Sequence, residues 1–198
     1  MKEFFHTLIA LLTDRDGKLL YDVEPLLAMS KRITLETNQI YMSVGDLKRR
    51  LALIEKGMMR AYTYKENGDE ATLFLRGEGQ LIASHDAILH RKPSRFIYKA
   101  LEPVIVMEID YDALDEMLKL RPDLEPIRNF FLMRMLSETL QVMESFVLQS
   151  PEERYRELVA EQSQLVNRVP DKYIASMLGI TPVSLSRIRK RMHQKGRS

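Results

Sequence analysis

The chain has 198 residues, of which 45% are hydrophobic and 29% are charged, a balance typical of a soluble globular protein. It contains no cysteine, which excludes disulfides, thiolate zinc sites, cysteine nucleophiles and cysteine-ligated iron–sulfur clusters. The net charge of +2 conceals an asymmetry, because Lys172–Ser198 contains basic residues and no acidic one. These basic residues outnumber the net charge of the whole chain, so the rest of the chain is net acidic. A basic tail of this kind is typical of a nucleic-acid-binding segment, and a merely solubilising tail is the alternative.

The first thirty residues show short helical patterns and no targeting segment. Apolar residues recur at three- and four-residue spacing in Met1–Leu12, and Glu24–Ser30 is a second short helical stretch. The apolar run Leu8–Leu12 is too short for a signal peptide, and no run approaches the roughly 20 residues that cross a bilayer. We therefore expect both helices to lie against the next domain, and the protein to stay in the cytoplasm without a membrane span.

The segment from Ile33 to Asp110 alternates between short apolar runs and glycines, a texture that predicts many short strands. Asn67-Gly68 lies between two such runs and predicts a tight hairpin turn, which requires positive φ angles. The β-branched run Val104–Ile109 predicts a buried strand that closes an antiparallel barrel or roll.

The sequence from Pro122 to Gln149 predicts one long helix with an apolar seam along one face. The seam residues, spaced by four, four, three and four, are Leu132, Leu136, Leu140, Met143 and Val147. A small β-roll cannot cover so much apolar surface, so we expect a partner helix in a parallel dimer. An intrachain helix pair is the alternative. Ser150 and Glu153 then fit a capping box that begins a new helix.

The stretch Asp171–Lys190 fits a helix-turn-helix, two short helices packed around a turn of three or four residues. Ala175 falls where the helices touch and little volume fits, and Gly179 falls in the turn, where a positive φ suits glycine. Thr181 is placed to cap the second helix, with Pro182 in its first turn. The shared core is assigned to Ile174, Leu178, Ile180, Leu185 and Ile188.

The second helix has an exposed side that predicts DNA contacts. It is formed by Pro182, Val183, Ser186, Arg187 and Lys190, with Thr181 at its start. Arg187 is the strongest candidate base reader, because arginine donates to both O6 and N7 of guanine and discriminates by about 1–3 kcal/mol. Val183 is placed to touch a thymine methyl. Phosphate contacts are assigned to Ser184, Arg189, Lys190 and Arg191. A helix-turn-helix used only for packing is the alternative.

With these features the chain resembles the Crp/Fnr superfamily of regulators, those related to the cyclic-AMP receptor protein. The resemblance rests on Gly45-Asp46, Lys56-Gly57 and Gly79 in the strand region, on the long helix and on the helix-turn-helix. It implies an α+β fold with three parts. These are a β-roll sensor domain at 1–121, a dimerisation helix at 122–149 and a helix-turn-helix domain at 150–198. The sensor domain is expected to be a double-stranded β-helix or jelly roll like a cyclic-nucleotide-binding domain. The short form resembles a branch common in Bacteroidetes.

The resemblance also implies double-stranded DNA, a second copy of the chain and RNA polymerase as partners. In members that bind cyclic nucleotides, a phosphate-binding cassette carries Gly-Glu near its start and Arg-Ser or Arg-Ala near its end. Here Ala83-Ser84 and Ser94 stand at those places, so an anionic phosphate loses its charge-assisted partner. We therefore do not expect ordinary cyclic AMP. A pocket formed by Ala83, Ser84, Ser94 and Arg95 for another small effector stays open, with solvated loop charges as the alternative.

Family members usually add a two-stranded wing after the recognition helix, whereas only Met192–Ser198 follow it here. We expect Lys195 and Arg197 to replace some phosphate contacts of the wing. The sequence has no Gly-rich phosphate loop, and its four histidines lack metal-site spacing, so we expect no enzyme, cofactor or metal. The alternative function is a ligand-binding or protein-interaction module that has lost autonomous DNA binding.

Overall fold

The computed structural model describes residues 22–195 of the chain. The helix predicted at Met1–Leu12 lies outside these residues. The second predicted helix is confirmed as α1 (Glu24–Met29), which begins with a proline at its first turn. No helix within the described range is long and apolar enough to cross a bilayer.

The predicted roll is confirmed as two four-stranded antiparallel sheets, with strand orders β1-β8-β3-β6 and β2-β7-β4-β5. The strands are β1 (Lys31–Leu35), β2 (Ile40–Met42), β3 (Arg50–Lys56), β4 (Met59–Tyr64), β5 (Glu70–Arg76), β6 (Leu81–Ala83), β7 (Ile97–Ala100) and β8 (Val104–Asp110). A short helix, α2 (His85–His90), lies between β6 and β7. Side chains of both sheets, such as Ile54, Tyr98 and Val106, form one buried core.

Strand β8 is an inner strand of the first sheet, paired with β1 on one side and β3 on the other. The last strand of the roll is thereby hydrogen-bonded to the first, as expected of a strand that closes the roll. Val104 and Val106 are fully buried in the core, whereas Ile105 between them is only half-buried. This alternation follows from the period of two along a strand, and it explains why the β-branched run was readable in the sequence.

The hairpin predicted at Asn67-Gly68 is confirmed between β4 and β5, but with one positive φ instead of two. Gly68 has φ +85°, while Asn67 keeps an ordinary negative φ. The Gly68 amide donates to the Lys65 carbonyl at 2.9 Å, and the Lys65 amide donates to the Asp69 carbonyl at 2.8 Å. The Asn67 side chain accepts from the Asp69 amide at 3.1 Å, which favours its ordinary turn conformation.

The second half of the described chain is helical. After α3 (Tyr111–Leu120) and a 3₁₀ turn at Pro122–Leu124 come α4 (Glu125–Leu148), α5 (Pro151–Glu161), α6 (Ser163–Arg168), α7 (Asp171–Met177) and α8 (Pro182–Lys195). The predicted long helix is therefore α4, which begins three residues later than expected, after the 3₁₀ turn. Ile127 anchors its first turns on the first sheet, in a cluster shared with Leu114 and Leu118 of α3.

Candidate nucleic-acid interface and ligand cassette

The predicted helix-turn-helix is formed by α7 and α8. Gly179 in the turn has φ +72°, a left-handed conformation that favours glycine. Thr181 caps α8, because its hydroxyl oxygen accepts from the Ser184 amide at 3.1 Å. Ala175 and Leu185 are fully buried between the helices. The local residue pattern thus predicted both the turn and the helix contact.

The structure brings the predicted base-contacting side chains together on one face of α8. We call this set the recognition face; all of its members are exposed, and they are Pro182, Val183, Ser186, Arg187 and Lys190. Among the ion pairs formed within residues 22–195, none involves Arg187 or Lys190. Their donors therefore point to solvent without an internal partner, as donors to a nucleic acid must.

Two arginines that were assigned to phosphate contacts are held inside the domain. The Arg189 Nε donates to the Tyr155 hydroxyl at 2.7 Å, and its Nη1 pairs with the Asp171 carboxylate at 2.9 Å. The Arg191 Nε pairs with Glu152 at 2.9 Å. These contacts tie α8 to α5 and α7. Arg189 and Arg191 therefore hold the recognition helix in place as well as adding positive charge to it.

The apolar seam of α4 is uncovered in the single chain. The exposed fractions of its residues range from 42% to 76%, and the residues are Leu132, Leu136, Leu140, Met143 and Val147. No helix within the described residues packs over this seam, so the structure does not contain the alternative intrachain helix pair. A strip of large apolar side chains along 24 helical residues is a surface that usually meets a partner.

The residues that stand at the cassette positions all form hydrogen bonds within the roll. Ser84 caps α2 by accepting from the Ala87 amide at 3.4 Å. Ser94 is buried, and its hydroxyl donates to the Phe96 carbonyl at 3.0 Å. The Ala83 carbonyl accepts from the Tyr98 hydroxyl at 2.9 Å. None of these polar groups is left pointing into an open pocket.

Arg95, the cation of the predicted pocket, is paired within its own chain. Its Nη2 lies 3.0 Å from the Asp86 carboxylate, and its backbone amide donates to the same carboxylate at 3.2 Å. Asp86 is buried, and the hydrogen bond from the Arg95 side chain is the main cause that holds the pKa of this carboxyl below its usual range. No sequence pattern indicates this pair, because a separation of nine residues across a helix and a loop has no characteristic period.

An apolar groove lies elsewhere, on the outer face of the first sheet beneath α1, α3 and the first turns of α4. It encloses a cavity of about 140 Å³. Its walls include Leu53, Leu81, Met107, Leu118, Ile127 and Phe131. Of the four residues of the predicted effector pocket, only Ala83 contributes to this groove. The rim arginine, Arg128, pairs with Glu125 at 2.8 Å and so carries no spare charge.

A β-roll joined through a long helix to an exposed helix-turn-helix defines a transcription regulator with a sensor-type domain. Comparison with known proteins agrees: residues 32–121 match the cyclic nucleotide-binding domain. The chain is 29% identical over 172 residues to electron transport regulator A of Shewanella oneidensis, covering 80% of this chain and 66% of the relative. It is 26% identical over 182 residues to the regulatory protein HlyX of Actinobacillus pleuropneumoniae, covering 85% and 74%.

Among solved structures, FixK2 from Bradyrhizobium japonicum superposes with a TM-score of 0.70 at 15% identity, covering 84% of this chain and 86% of FixK2. At that identity the likeness establishes the fold. Over most of its length the chain is therefore similar to transcription regulators of the Crp/Fnr family. The resemblance to the branch common in Bacteroidetes stays a prediction.

Proposed function

We propose that this protein acts in the cytoplasm as a homodimer that binds a two-fold symmetric site in double-stranded DNA through α8. The uncovered recognition face carries the proposal. Arg187 and Lys190 lie one helical turn apart on it without an internal ion pair, beside the exposed side chain of Val183. A face with unpaired cations and an apolar contact suits the edges of bases in the major groove.

The α4 seam supports the dimeric state. Two copies of α4 packed in parallel cover both seams at once, because each seam is the same apolar strip and a two-fold axis makes it self-complementary. Two recognition helices related by such an axis read half-sites about 34 Å apart, one turn of the double helix. RNA polymerase stays a predicted partner.

The cassette is proposed not to bind cyclic nucleotides. The Arg95 guanidinium already has a carboxylate partner in Asp86, so a cyclic phosphate meets a neutralised arginine and must compete with an ion pair whose carboxylate is buried, although the guanidinium itself is exposed. Titration calorimetry with cyclic AMP and cyclic GMP is expected to show no binding at micromolar concentrations. Saturable binding of either nucleotide contradicts this part of the proposal. An effector of another chemical class stays a prediction.

The deciding experiment is selection of bound sequences from random duplex DNA at moderate salt, with the wild type and Arg187→Ala in parallel. The wild type is expected to enrich a two-fold symmetric site, and the variant to lose the preference at one base pair of each half-site, worth about 1–3 kcal/mol. Arg156→Ala is the matched control, since Arg156 is an exposed arginine of α5 outside the recognition face, and its partner Glu152 keeps the ion pair with Arg191 of α8.

Salt dependence separates the two candidate functions. A regulator that neutralises phosphates loses affinity steeply as salt rises. A protein-interaction module is not retained on DNA even at low salt. Absence of any enriched sequence, together with absence of retention at low salt, would refute autonomous DNA binding.

A further inference from the structure

The helix-turn-helix is docked on the β-roll along strand β5, through residues that are not part of the recognition face. We propose that Ser176 and Arg168 are positioning residues that fix the orientation of the DNA-binding helices relative to the β-roll, and thereby the spacing of the two half-sites that the dimer accepts. The statement about spacing rests on the proposed function. The statement about orientation concerns the single chain and is testable without DNA.

Ser176 of α7 completes the hydrogen bonding of an outer strand. Strand β5 is the last strand of the second sheet, so its outer side has amide and carbonyl groups without a strand partner. The Thr72 amide donates to the Ser176 hydroxyl at 2.9 Å, and the same hydroxyl donates to the Glu70 carbonyl at 3.1 Å. One side chain therefore satisfies one donor and one acceptor of the strand, which defines the position of α7 along β5.

A buried arginine of the roll forms a second contact with α7. Arg60 of β4 is 2% exposed, and its guanidinium lies 3.9 Å from the ring centroid of Tyr173 on α7. The same guanidinium also lies 4.3 Å from the ring centroid of Tyr62 of the roll. Its Nε donates to the Thr72 hydroxyl at 2.9 Å. A buried cation in contact with one aromatic ring of the roll and one of α7 links the two parts specifically.

Arg168, at the end of α6, forms the second polar attachment. Its two terminal nitrogens bind the Glu78 carboxylate at 2.9 and 2.7 Å, and the guanidinium also pairs with Glu102. Both acids lie on loops of the roll. Glu78 in turn accepts from the Gly57 amide at 2.8 Å. A bidentate arginine–carboxylate pair restricts rotation as well as distance, which distinguishes it from an ordinary surface ion pair.

The apolar contacts beneath these groups are continuous. Met58 and Leu75 of the roll belong to the same buried cluster as Leu165 and Ile174 of the DNA-binding helices. The docked orientation leaves the recognition face exposed, and the polar and cation–π attachments described above are made by α6 and α7. The attachment therefore positions α8 without obstructing it. Preorganisation of this kind raises affinity by reducing the freedom lost on binding.

The chain has no cysteine, so two introduced cysteines give clean spin-label sites. Lys48→Cys on the roll and Gln194→Cys on α8 are both exposed. Pulsed electron resonance is measured on labelled protein diluted with an excess of unlabelled protein, so that distances within one chain dominate. The labelled protein without further substitutions is expected to give one narrow distribution of distances between the two labels. Adding Ser176→Ala and Arg168→Gln is expected to broaden it at least twofold.

Further variants keep the experiment decisive. Ser176→Thr keeps the hydroxyl and is expected to keep most of the narrow distribution, whereas Arg168→Lys keeps the charge but not the bidentate geometry and is expected to keep only part of it. A general loss of stability does not follow this order. The control pair Ser163→Ala with Arg156→Gln changes the same residue types at exposed positions of α6 and α5 and is expected to leave the distribution unchanged. If the double variant fails to fold, the single substitutions are measured instead, with broadening expected for each.

The functional consequence is measured on duplexes in which two half-sites are separated by different spacers. The wild type is expected to bind one spacing best. The double variant is expected to keep its base preference within a half-site but to bind the best spacing roughly tenfold more weakly, about 1.4 kcal/mol. A narrow distance distribution in both the double and the single variants overturns the proposal. If the wild type binds no duplex, the proposed function fails, and the distance distribution alone decides the positioning role.

Discussion

Replacing Gly179 with alanine is expected to destabilise the protein through two separable effects. The first is backbone strain, because Gly179 has φ +72° and a residue with a Cβ in the left-handed region costs about 1–2 kcal/mol. The second is crowding, because an added Cβ lies 3.2 Å from Cε1 of Phe146 on α4. The Phe146 side chain is partly exposed and can yield by a few tenths of an ångström, so we expect crowding to add less than about 1 kcal/mol.

Gly68 is the matched control for the first effect. Its φ of +85° is also left-handed, and a Cβ added there meets nothing within 4 Å. Gly68→Ala therefore measures strain alone, and the difference between the two variants measures the contact with Phe146. For a chain of this size each 1 kcal/mol lowers Tm by roughly 2–4 °C, so Gly179→Ala is expected to lower it by roughly 2–12 °C.

Urea unfolding followed by circular dichroism gives both free energies. In the Gly179→Ala background, Phe146→Leu is expected to recover the crowding component and leave the strain component. The reasoning fails if Gly179→Ala is no more destabilising than Gly68→Ala and also shows no coupling to Phe146. That result would mean that the turn of the helix-turn-helix does not contact the end of the long helix in solution.

Three further predictions concern other parts of the molecule. Leu140→Glu is expected to give a monomer in sedimentation at micromolar concentration, because a charge enters the seam; Val142→Glu, an exposed apolar position on another side of α4, is expected to remain dimeric. Burial of Glu78 opposes its ionisation, but hydrogen bonds from Arg168 and from backbone amides outweigh burial and lower its pKa from 4.5 to about 2. The stability from this group is thus present above pH 4.5 and lost as pH falls towards 2, and Arg168→Gln is expected to weaken that acid dependence in unfolding titrations. Ser150→Ala is expected to cost about 1 kcal/mol in the same assay, since it removes the capping box of α5.

The features that were predictable from sequence are those with local causes. A glycine in a turn, a hydroxyl at a helix start and apolar residues every three or four positions depend on neighbours a few residues away, so Gly179, Thr181 and the α4 seam could be found before the structure. The α4 seam was predictable for the additional reason that it consists of more apolar side chains than the roll can cover, which the sequence pattern reveals.

The pairings between distant residues were not predictable in this way. Asp86 lies nine residues before Arg95, and Asp171 lies eighteen residues before Arg189, with no period to relate them. Ser176 meets Thr72 across 104 residues. Such contacts depend on how the sheets and helices pack, and one sequence alone carries no record of that packing. For this reason the charge of Arg95 looked available for a ligand when its partner was already present in the chain.

The docking of α7 on β5 has a consequence for the solubility of the protein. The outer strand of an open sheet is a template for strands of other molecules, and proteins commonly protect such strands against edge-to-edge aggregation. Here the Ser176 hydroxyl occupies backbone groups of Glu70 and Thr72 that a foreign strand needs. A helix of the DNA-binding part therefore also shields the sheet of the sensor-type part. Any motion that lifts the helices from the roll exposes the unpaired backbone groups of β5 to other molecules. The docked state therefore protects against aggregation whether or not DNA is bound.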